Sequence, residues 1–149
     1  MIYVECKPDE VLVKALGIPR RGVIHEHCKG NICNRLLKSR DSKGLVDDDP
    51  RSGQPSYVRN LKVESQGQNI KLLLDEQRSN HLIVLCPTLE EFVLKASEEA
   101  GVDVKAFGLP DTLEELHKVI NIRLEKFNEL IPEIRNSPLF KTLDSFIKR

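Results

Sequence analysis

Residues 1–17 read MIYVECKPDEVLVKALG, a short apolar stretch that is followed at once by a helical pattern. The apolar run, with a β-branched residue and a tyrosine, predicts a buried strand that ends near Glu5. Pro8 suits the first turn of a helix, and Gly17 suits the point where that helix ends. A strand followed directly by a helix indicates an α/β fold.

The same alternation continues through the next part of the chain. RRGVIHEH (20–27) predicts a second strand, and KGNICNRLLKS (29–39) predicts a second amphipathic helix. KGLVDDD (43–49) predicts a third strand that ends at an acidic triplet. Strands that alternate with helices favour parallel pairing, because each parallel pair needs a crossover connection. We therefore expect an α/β fold with a mostly parallel sheet flanked by helices.

The pattern changes after residue 49. DPRSGQPSY (49–57) predicts a loop, and residues 58–87 contain three short strands that favour an antiparallel edge on the sheet. Helices are predicted from there on, over residues 88–101, 111–130 and 137–149. We expect a single domain over residues 1–149, with residues 1–100 as the α/β core and residues 101–149 as a helical C-terminal extension.

Composition excludes some classes of protein. The 149 residues are 40% hydrophobic and 31% charged, which is typical of a globular chain, and no apolar run approaches the ~20 residues that a membrane span needs. The N-terminal sequence lacks the pattern of a signal peptide, so we expect a cytoplasmic protein without a membrane partner. The formal net charge of zero argues against binding by unspecific attraction to phosphate, although it leaves room for a local basic patch.

The four cysteines are expected to be free thiols in a reducing compartment. His25, His27, Cys28 and Cys33 lie close together in the sequence, but their spacing matches no standard zinc finger. Ordinary residues at a strand end are therefore favoured over a structural zinc site.

Acidic residues follow two of the predicted parallel strands. Glu5 ends the first strand and Asp9 lies on the next turn, while Asp47 and Asp49 end the third strand and would point to the same side. Ligands bind outside the carboxyl ends of such strands, and a set of carboxylates suits Mg²⁺ or Mn²⁺ rather than zinc. Magnesium usually binds through one or two carboxylates together with substrate phosphates, which favours a phosphate ester as substrate. The alternative is that DDDP is simply a solvated turn.

These motifs resemble those of Toprim domains, which occur in topoisomerases, bacterial primases and several nucleases. YVECKPDEVLVKAL is similar to the opening motif, with Glu5 and Asp9 at its two acidic positions, and GLVDDDP resembles the Asp-x-Asp motif through Asp47 and Asp49. HCKGNICNRLL resembles the second segment of the family. LIVLCPTLEEFVL is similar to a later segment of the overcoming-lysogenization-defect nucleases, in which Glu90 or Glu91 would match the acidic position. The resemblance covers roughly residues 1–100 in order, and it departs from the family at Cys6, where a glycine is usual.

The resemblance implies a Toprim-like (Rossmann-like) α/β fold and a Mg²⁺-dependent nuclease that acts on DNA or RNA. Glu5 would then act as general acid or base, or as a ligand, and Asp47 and Asp49 would hold Mg²⁺ (or Mn²⁺). Asp9 and Glu90 would help to place a second ion. Apolar residues also recur at helical spacing between 113 and 127, so this helix is expected to pack either on the sheet or on a second subunit. The latter would give a homodimer or larger complex through the C-terminal helices.

Two other functions remain open at this point. The first is a non-catalytic Toprim-like module that binds metal or nucleic acid, which Cys6 and the neutral net charge favour. The second is a phosphate-accepting signalling domain of receiver type. That second alternative needs a lysine at the end of a later strand, where HLIVLCPT has Cys86 and Pro87.

Overall fold

The computed structural model describes residues 1–48 and 54–149. In these two ranges the chain forms six strands and seven α-helices. The strands are β1 (Ile2–Val4), β2 (Val23–His25), β3 (Lys43–Asp47), β4 (Lys62–Gln66), β5 (Ile70–Asp75) and β6 (Asn80–Leu85). The helices are α1 (Lys7–Ala15), α2 (Lys29–Leu37), α3 (Ser56–Arg59), α4 (Leu89–Ala100), α5 (Leu113–Val119), α6 (Leu124–Ile134) and α7 (Pro138–Ile147).

All six strands belong to one sheet with the order β2-β1-β3-β6-β5-β4. β1 pairs in parallel with β2 and β3, and β3 pairs in parallel with β6, whereas β5 and β4 are antiparallel to their neighbours. This confirms the predicted mostly parallel α/β sheet with an antiparallel edge. The chain moves from β1 to β2 on one side and then returns to β3 on the other. The gap between the ends of β1 and β3 is therefore the topological switch point, where α/β sheets bind ligands.

The two faces of the sheet carry separate hydrophobic cores. The larger core contains side chains of α1, α4, α5, α6 and α7, among them Phe92 and Phe140, whose rings lie 6.0 Å apart in a tilted arrangement. The smaller core lies under α2 and α3. Successive strand residues alternate between these cores, since Leu45 belongs to the larger one and Val46 to the smaller. Asp47 and Asp48 consequently project to opposite faces.

Glycine at position 44 lets α2 approach the middle of the sheet. A Cβ atom at Gly44 would lie 2.8 Å from Cγ2 of Ile32 and 2.9 Å from Cδ1 of Leu82. Both neighbours belong to the tightly packed smaller core, so no larger residue fits without moving the helix or the strand.

The ends of the helices follow the sequence signals. Asp9 and Glu10 lie in the first turn of α1, and Gly17 beyond its last turn has φ +100°, a conformation that favours glycine. Thr88 caps α4, because its Oγ1 accepts a hydrogen bond of 3.3 Å from the backbone N–H of Glu91. Gly101 ends that helix with φ +69°.

The single helix predicted over residues 111–130 is wrong, because two helices, α5 and α6, occupy this region. The chain turns between them, where Ile122 is 79% exposed and the guanidinium of Arg123 donates a hydrogen bond of 2.8 Å to the carbonyl of Gly108. The predicted apolar stripe is largely buried, since Leu116, Ile120 and Phe127 join the larger core. The stripe therefore packs within the chain, against the helical layer over the sheet.

The predicted loop over residues 49–57 needs a correction at its end. Ser56 and Tyr57 begin the short helix α3, which the sequence pattern could not reveal because α3 has only four residues. Residues 49–53 lie outside the described part of the chain.

At the far edge of the sheet, the register of β4 against β5 shifts between Val63 and Ser65.

Among the helices of residues 1–48 and 54–149, none combines the length and apolar character that crossing a bilayer requires.

Candidate functional site

The carboxyl ends of β1 and β3 bring two acidic side chains together at the switch point. Glu5 follows β1 directly, and its Oε1 accepts a hydrogen bond of 3.1 Å from the backbone N–H of Asp47, the last residue of β3. Parallel pairing explains this contact, because Val4 is paired with Leu45 and both strands end at the same edge. The two groups that the sequence analysis expected to meet are thus neighbours.

Asp9 enters the same region from the first turn of α1. Its side chain is only 1% exposed, and its Oδ1 has no hydrogen-bond partner within the described residues. Burial, followed by the negative charge of Asp47, raises the pKa of Asp9 well above its ordinary value, and the charges of Glu5 and Glu90 add to this rise. A buried carboxylate oxygen without a partner is costly, so it is a feature that needs an explanation.

Asp47 lies at the centre of this group of carboxylates. Burial and then the charges of Glu5 and Glu90 raise the pKa of Asp47 from 3.8 to about 7. Two features oppose the rise, a hydrogen bond of 3.1 Å from the backbone N–H of Leu89 to Oδ1 of Asp47 and the nearby charge of Lys29. Leu89 is the first residue of α4, so the positive end of that helix points at the carboxylate.

Glu90 completes the group from the first turn of α4. Its residue exposure is 8%, and its Oε1 lies 3.2 Å from Nδ1 of His117 on α5. In the sequence, either Glu90 or Glu91 could match the acidic motif position, and the metal role was assigned to Glu90. The structure separates them, because Glu90 acts electrostatically on Asp47 and Asp9, whereas Glu91 lines a different surface cavity beside Gln68.

We call Glu5, Asp9, Asp47 and Glu90 the carboxylate cluster. His117 at its edge was missed by the sequence analysis, because a contact between α4 and α5 leaves no periodic signal. Asp48 does not join the cluster, since its Oδ1 faces the other side of the sheet and lies 3.6 Å from Nζ of Lys71. The remaining predicted site residue, Asp49, lies outside the described residues.

Cys6 is the residue at which the predicted resemblance to Toprim domains expects a glycine. It precedes α1, and burial followed by the charge of Asp9 raises the pKa of the Cys6 thiol far above its ordinary value. The thiol is therefore protonated at neutral pH and is no nucleophile. As a neutral hydrogen-bonding neighbour of Asp9, it favours the charged form of that carboxylate.

The histidine and cysteine residues near β2 are not arranged as zinc ligands. His25 contacts the backbone carbonyl of Glu5 through Nε2 at 3.0 Å, and its ring lies 4.4 Å from that of His27. Cys28 is exposed whereas Cys33 is buried in the smaller core. These placements agree with ordinary residues at a strand end.

The carboxylate cluster supplies only oxygen donors, the type of ligand that Mg²⁺ prefers. Across residues 1–48 and 54–149, no group of three or more histidine, cysteine, aspartate or glutamate side chains is positioned to hold a metal ion. Magnesium, however, keeps several waters and usually needs only one or two protein carboxylates. The unpartnered oxygen of Asp9 and the mutual repulsion of the carboxylates fit a hard cation, because a cation would relieve both.

Comparison of the chain with protein-family models, curated proteins and solved structures gives no match. The resemblance to Toprim domains therefore stays a prediction that rests on the sequence motifs.

Proposed function

We propose that this protein is a Mg²⁺-dependent phosphodiester hydrolase that acts on DNA or RNA. The observation that supports the proposal is the carboxylate cluster at the switch point, in which Asp9 has a buried oxygen without a partner among the described residues. Carboxylates gathered at the ends of β1 and β3 and in the first turns of α1 and α4 repel one another, so a stable fold that keeps them together is best explained by a cation that binds there.

The proposed roles follow the chemistry of each group. Asp47 and Glu5 lie at the centre and would act on the substrate, with Asp49 added by the resemblance to Toprim domains. Glu5, Asp9, Asp47, Asp49 and Glu90 would hold the metal, whose chemistry is to stabilise charge on the attacking and leaving oxygens. Mn²⁺ would substitute for Mg²⁺, because both prefer oxygen ligands.

The raised pKa of Asp47 predicts how binding of the metal depends on pH. Since the pKa of Asp47 is about 7 without metal, this carboxyl group is largely protonated below that pH. A cation must displace the proton, so affinity for Mg²⁺ and cleavage should both rise as the pH passes through about 7.

The decisive experiment is a cleavage assay on single- and double-stranded DNA and RNA with Mg²⁺ or Mn²⁺. Asp47→Ala should reduce cleavage at least about 100-fold, because loss of a group that acts on the transition state has effects of this order. Glu91→Gln is the matched control, since Glu91 is next to Glu90 in α4 but lines a different surface cavity and should leave cleavage unchanged. Cleavage that survives Asp47→Ala would point to a contaminating nuclease.

A second candidate function is a binding module without catalysis. It is favoured by Cys6, at the position where the resemblance to Toprim domains expects glycine, and by the formal net charge of zero. Titration calorimetry with Mg²⁺ or Mn²⁺ separates the two candidates when it is combined with the cleavage assay. Metal binding that Asp47→Ala abolishes, without any turnover of nucleic acid, would establish the binding module.

A further inference from the structure

A second feature lies on the opposite face of the sheet from the carboxylate cluster. It is a cavity of about 260 Å³ beside the ends of β3 and β6, with Val46 and Val84 among its apolar lining residues. Of the described residues, three cationic side chains line it, from Lys29, Arg59 and Lys71, and one acidic side chain, from Asp48. We call it the basic cavity.

The cations of the basic cavity come from three different elements. Lys29 is the first residue of α2, Arg59 is the last residue of α3, and Lys71 projects from β5. A cation in the first turn of a helix is disfavoured by the helix dipole, so Lys29 gains little from its own helix. In a chain whose formal net charge is zero, the surplus of positive charge in this cavity is a local feature.

The basic cavity adjoins the carboxylate cluster at the end of β3, because Asp48 lines the cavity and Asp47, the residue before it, belongs to the cluster. Cys86 follows β6, and its thiol is influenced by charges from both features. After burial, Asp48 and Asp47 raise the pKa of the Cys86 thiol, whereas Lys71 and Lys29 lower it. Lys29 also acts directly on Asp47. A ligand that spans the end of β3 would therefore meet carboxylates on one side and cations on the other.

We propose that the basic cavity binds a phosphate group of a polynucleotide strand, next to the phosphate that lies at the carboxylate cluster. The inference rests on the proposed function and deepens it, because it states how the substrate strand is held. Lysine and arginine side chains supply the charge for a phosphate, and the apolar lining suits the adjoining sugar or base. The volume is too small for a folded partner and sufficient for one such group.

Fluorescence anisotropy with a labelled oligo(dT) strand tests the proposal, in EDTA so that no cleavage occurs. One phosphate contact on a single strand contributes about 0.7 to the slope of log affinity against log salt, which amounts to about eightfold in affinity between about 1 M and about 50 mM salt. Lys29→Gln and Lys71→Gln should therefore each weaken binding about eightfold at about 50 mM salt. Each substitution should also lower the slope of log affinity against log salt by about 0.7.

Lys38→Gln is the matched control. Lys38 lies at the other end of α2, about 13 Å along the helix axis from Lys29 at about 1.5 Å per residue, and is exposed. Oligo(dT) affinities of Lys29→Gln and Lys71→Gln that equal the affinity of Lys38→Gln would overturn the proposal.

Asp48→Asn gives a test of the opposite sign. Asp48 lies 3.6 Å from Lys71 and competes with a phosphate for it, so its removal should tighten oligo(dT) binding about twofold to threefold. Asp111→Asn is the control, since Asp111 also pairs with a lysine, Lys105, at 3.2 Å, but is distant in sequence from the residues that line the cavity. This substitution should leave oligo(dT) binding unchanged. Weaker binding by Asp48→Asn would also contradict the proposal.

Competition with thymidine monophosphate and inorganic phosphate distinguishes the sources of the phosphate group. If the cavity binds a phosphate group of a strand, either competitor should displace oligo(dT) only at concentrations far above the dissociation constant of oligo(dT). A competitor that binds as tightly as oligo(dT) would show that the cavity binds a free nucleotide or free phosphate, which would overturn the inference. Failure of the proposed function is distinguishable. Oligo(dT) binding that depends on Lys29 and Lys71 without any cleavage would leave this inference standing, and cleavage with no such dependence would remove the inference alone.

Discussion

Replacing Asp47 by asparagine should stabilise the metal-free protein, although Asp47 is the central residue of the proposed site. The pKa of Asp47 is raised, so the folded protein prefers the protonated form and is destabilised by ionisation. The destabilisation is absent below the ordinary value of 3.8, grows as the pH rises towards about 7, and is complete above that pH. Asparagine avoids it, because it is neutral at every pH and its oxygen still accepts the hydrogen bond from Leu89.

The size of the effect follows from the two pKa values. The difference between 3.8 and about 7 is roughly three pH units, which corresponds to about 4 kcal/mol above pH 7. At about pH 5 only about one pH unit of that difference has been titrated, so the gain should be about 1–2 kcal/mol. With a urea m-value of about 2 kcal/mol/M, the midpoint of Asp47→Asn should exceed that of the wild type by about 2 M at about pH 8.

The assay is equilibrium unfolding in urea with EDTA, at about pH 5 and about pH 8. Asp48→Asn is the control, because the side chain of Asp48 is 36% exposed and ion-paired with Lys71, and its replacement should change the free energy of unfolding by less than about 0.5 kcal/mol. If Asp47→Asn is no more stable than the wild type at about pH 8, ionisation of Asp47 does not destabilise the folded protein. The same conclusion follows if the gain in the free energy of unfolding is equal at both pH values.

Three further predictions concern the site and the smaller core. Mg²⁺ at about 100 times its dissociation constant should raise the free energy of unfolding of the wild type by about 2.7 kcal/mol and that of Asp47→Asn by much less, as measured by the same urea assay. Gly44→Ala should destabilise the protein by about 1–3 kcal/mol through its clashes with α2 and β6. Gly30→Ala is the control, because no atom lies nearer than 4.0 Å to its Cβ, and it should stabilise α2 slightly. Thermal unfolding of both variants checks this prediction. Tyr57→Phe should cost about 1.5–3 kcal/mol in urea unfolding at neutral pH, because the tyrosine hydroxyl donates a buried hydrogen bond of 2.9 Å to Oδ2 of Asp75; an unchanged midpoint would show that water replaces it.

Local patterns predicted most of the elements of the fold. The apolar run before Glu5 and the proline and glycine around α1 are signals within a few residues, so the β1–α1 unit was predictable. The position of β6 between β3 and β5 was not, because the parallel pairing of Lys43 with His81 joins residues far apart in the sequence. The turn between α5 and α6 was hidden for a similar reason, since the contact that holds Arg123 is to Gly108 on another segment.

The candidate site was likewise predictable from the sequence only in part. Glu5 and Asp47 were predictable neighbours, because the carboxyl ends of parallel strands meet at one edge. The choice of Glu90 over Glu91 depends on the rotation of α4, and the contact with His117 depends on how α5 packs, so neither could be obtained from spacing. Lys71 joins the basic cavity only through the antiparallel pairing of β5 with β6, which places it opposite Val84.

The packing of α6 and α7 has a consequence for how the protein forms during translation. Phe127, Leu130 and Phe140 belong to the same core as Leu12 on α1. A ribosome that adds about 5–20 residues per second needs several seconds to make the segment between them, and until then the first helix exposes its apolar side. The nascent chain should therefore be a good client for chaperones until α7 has emerged, and a chain truncated before α6 should be insoluble.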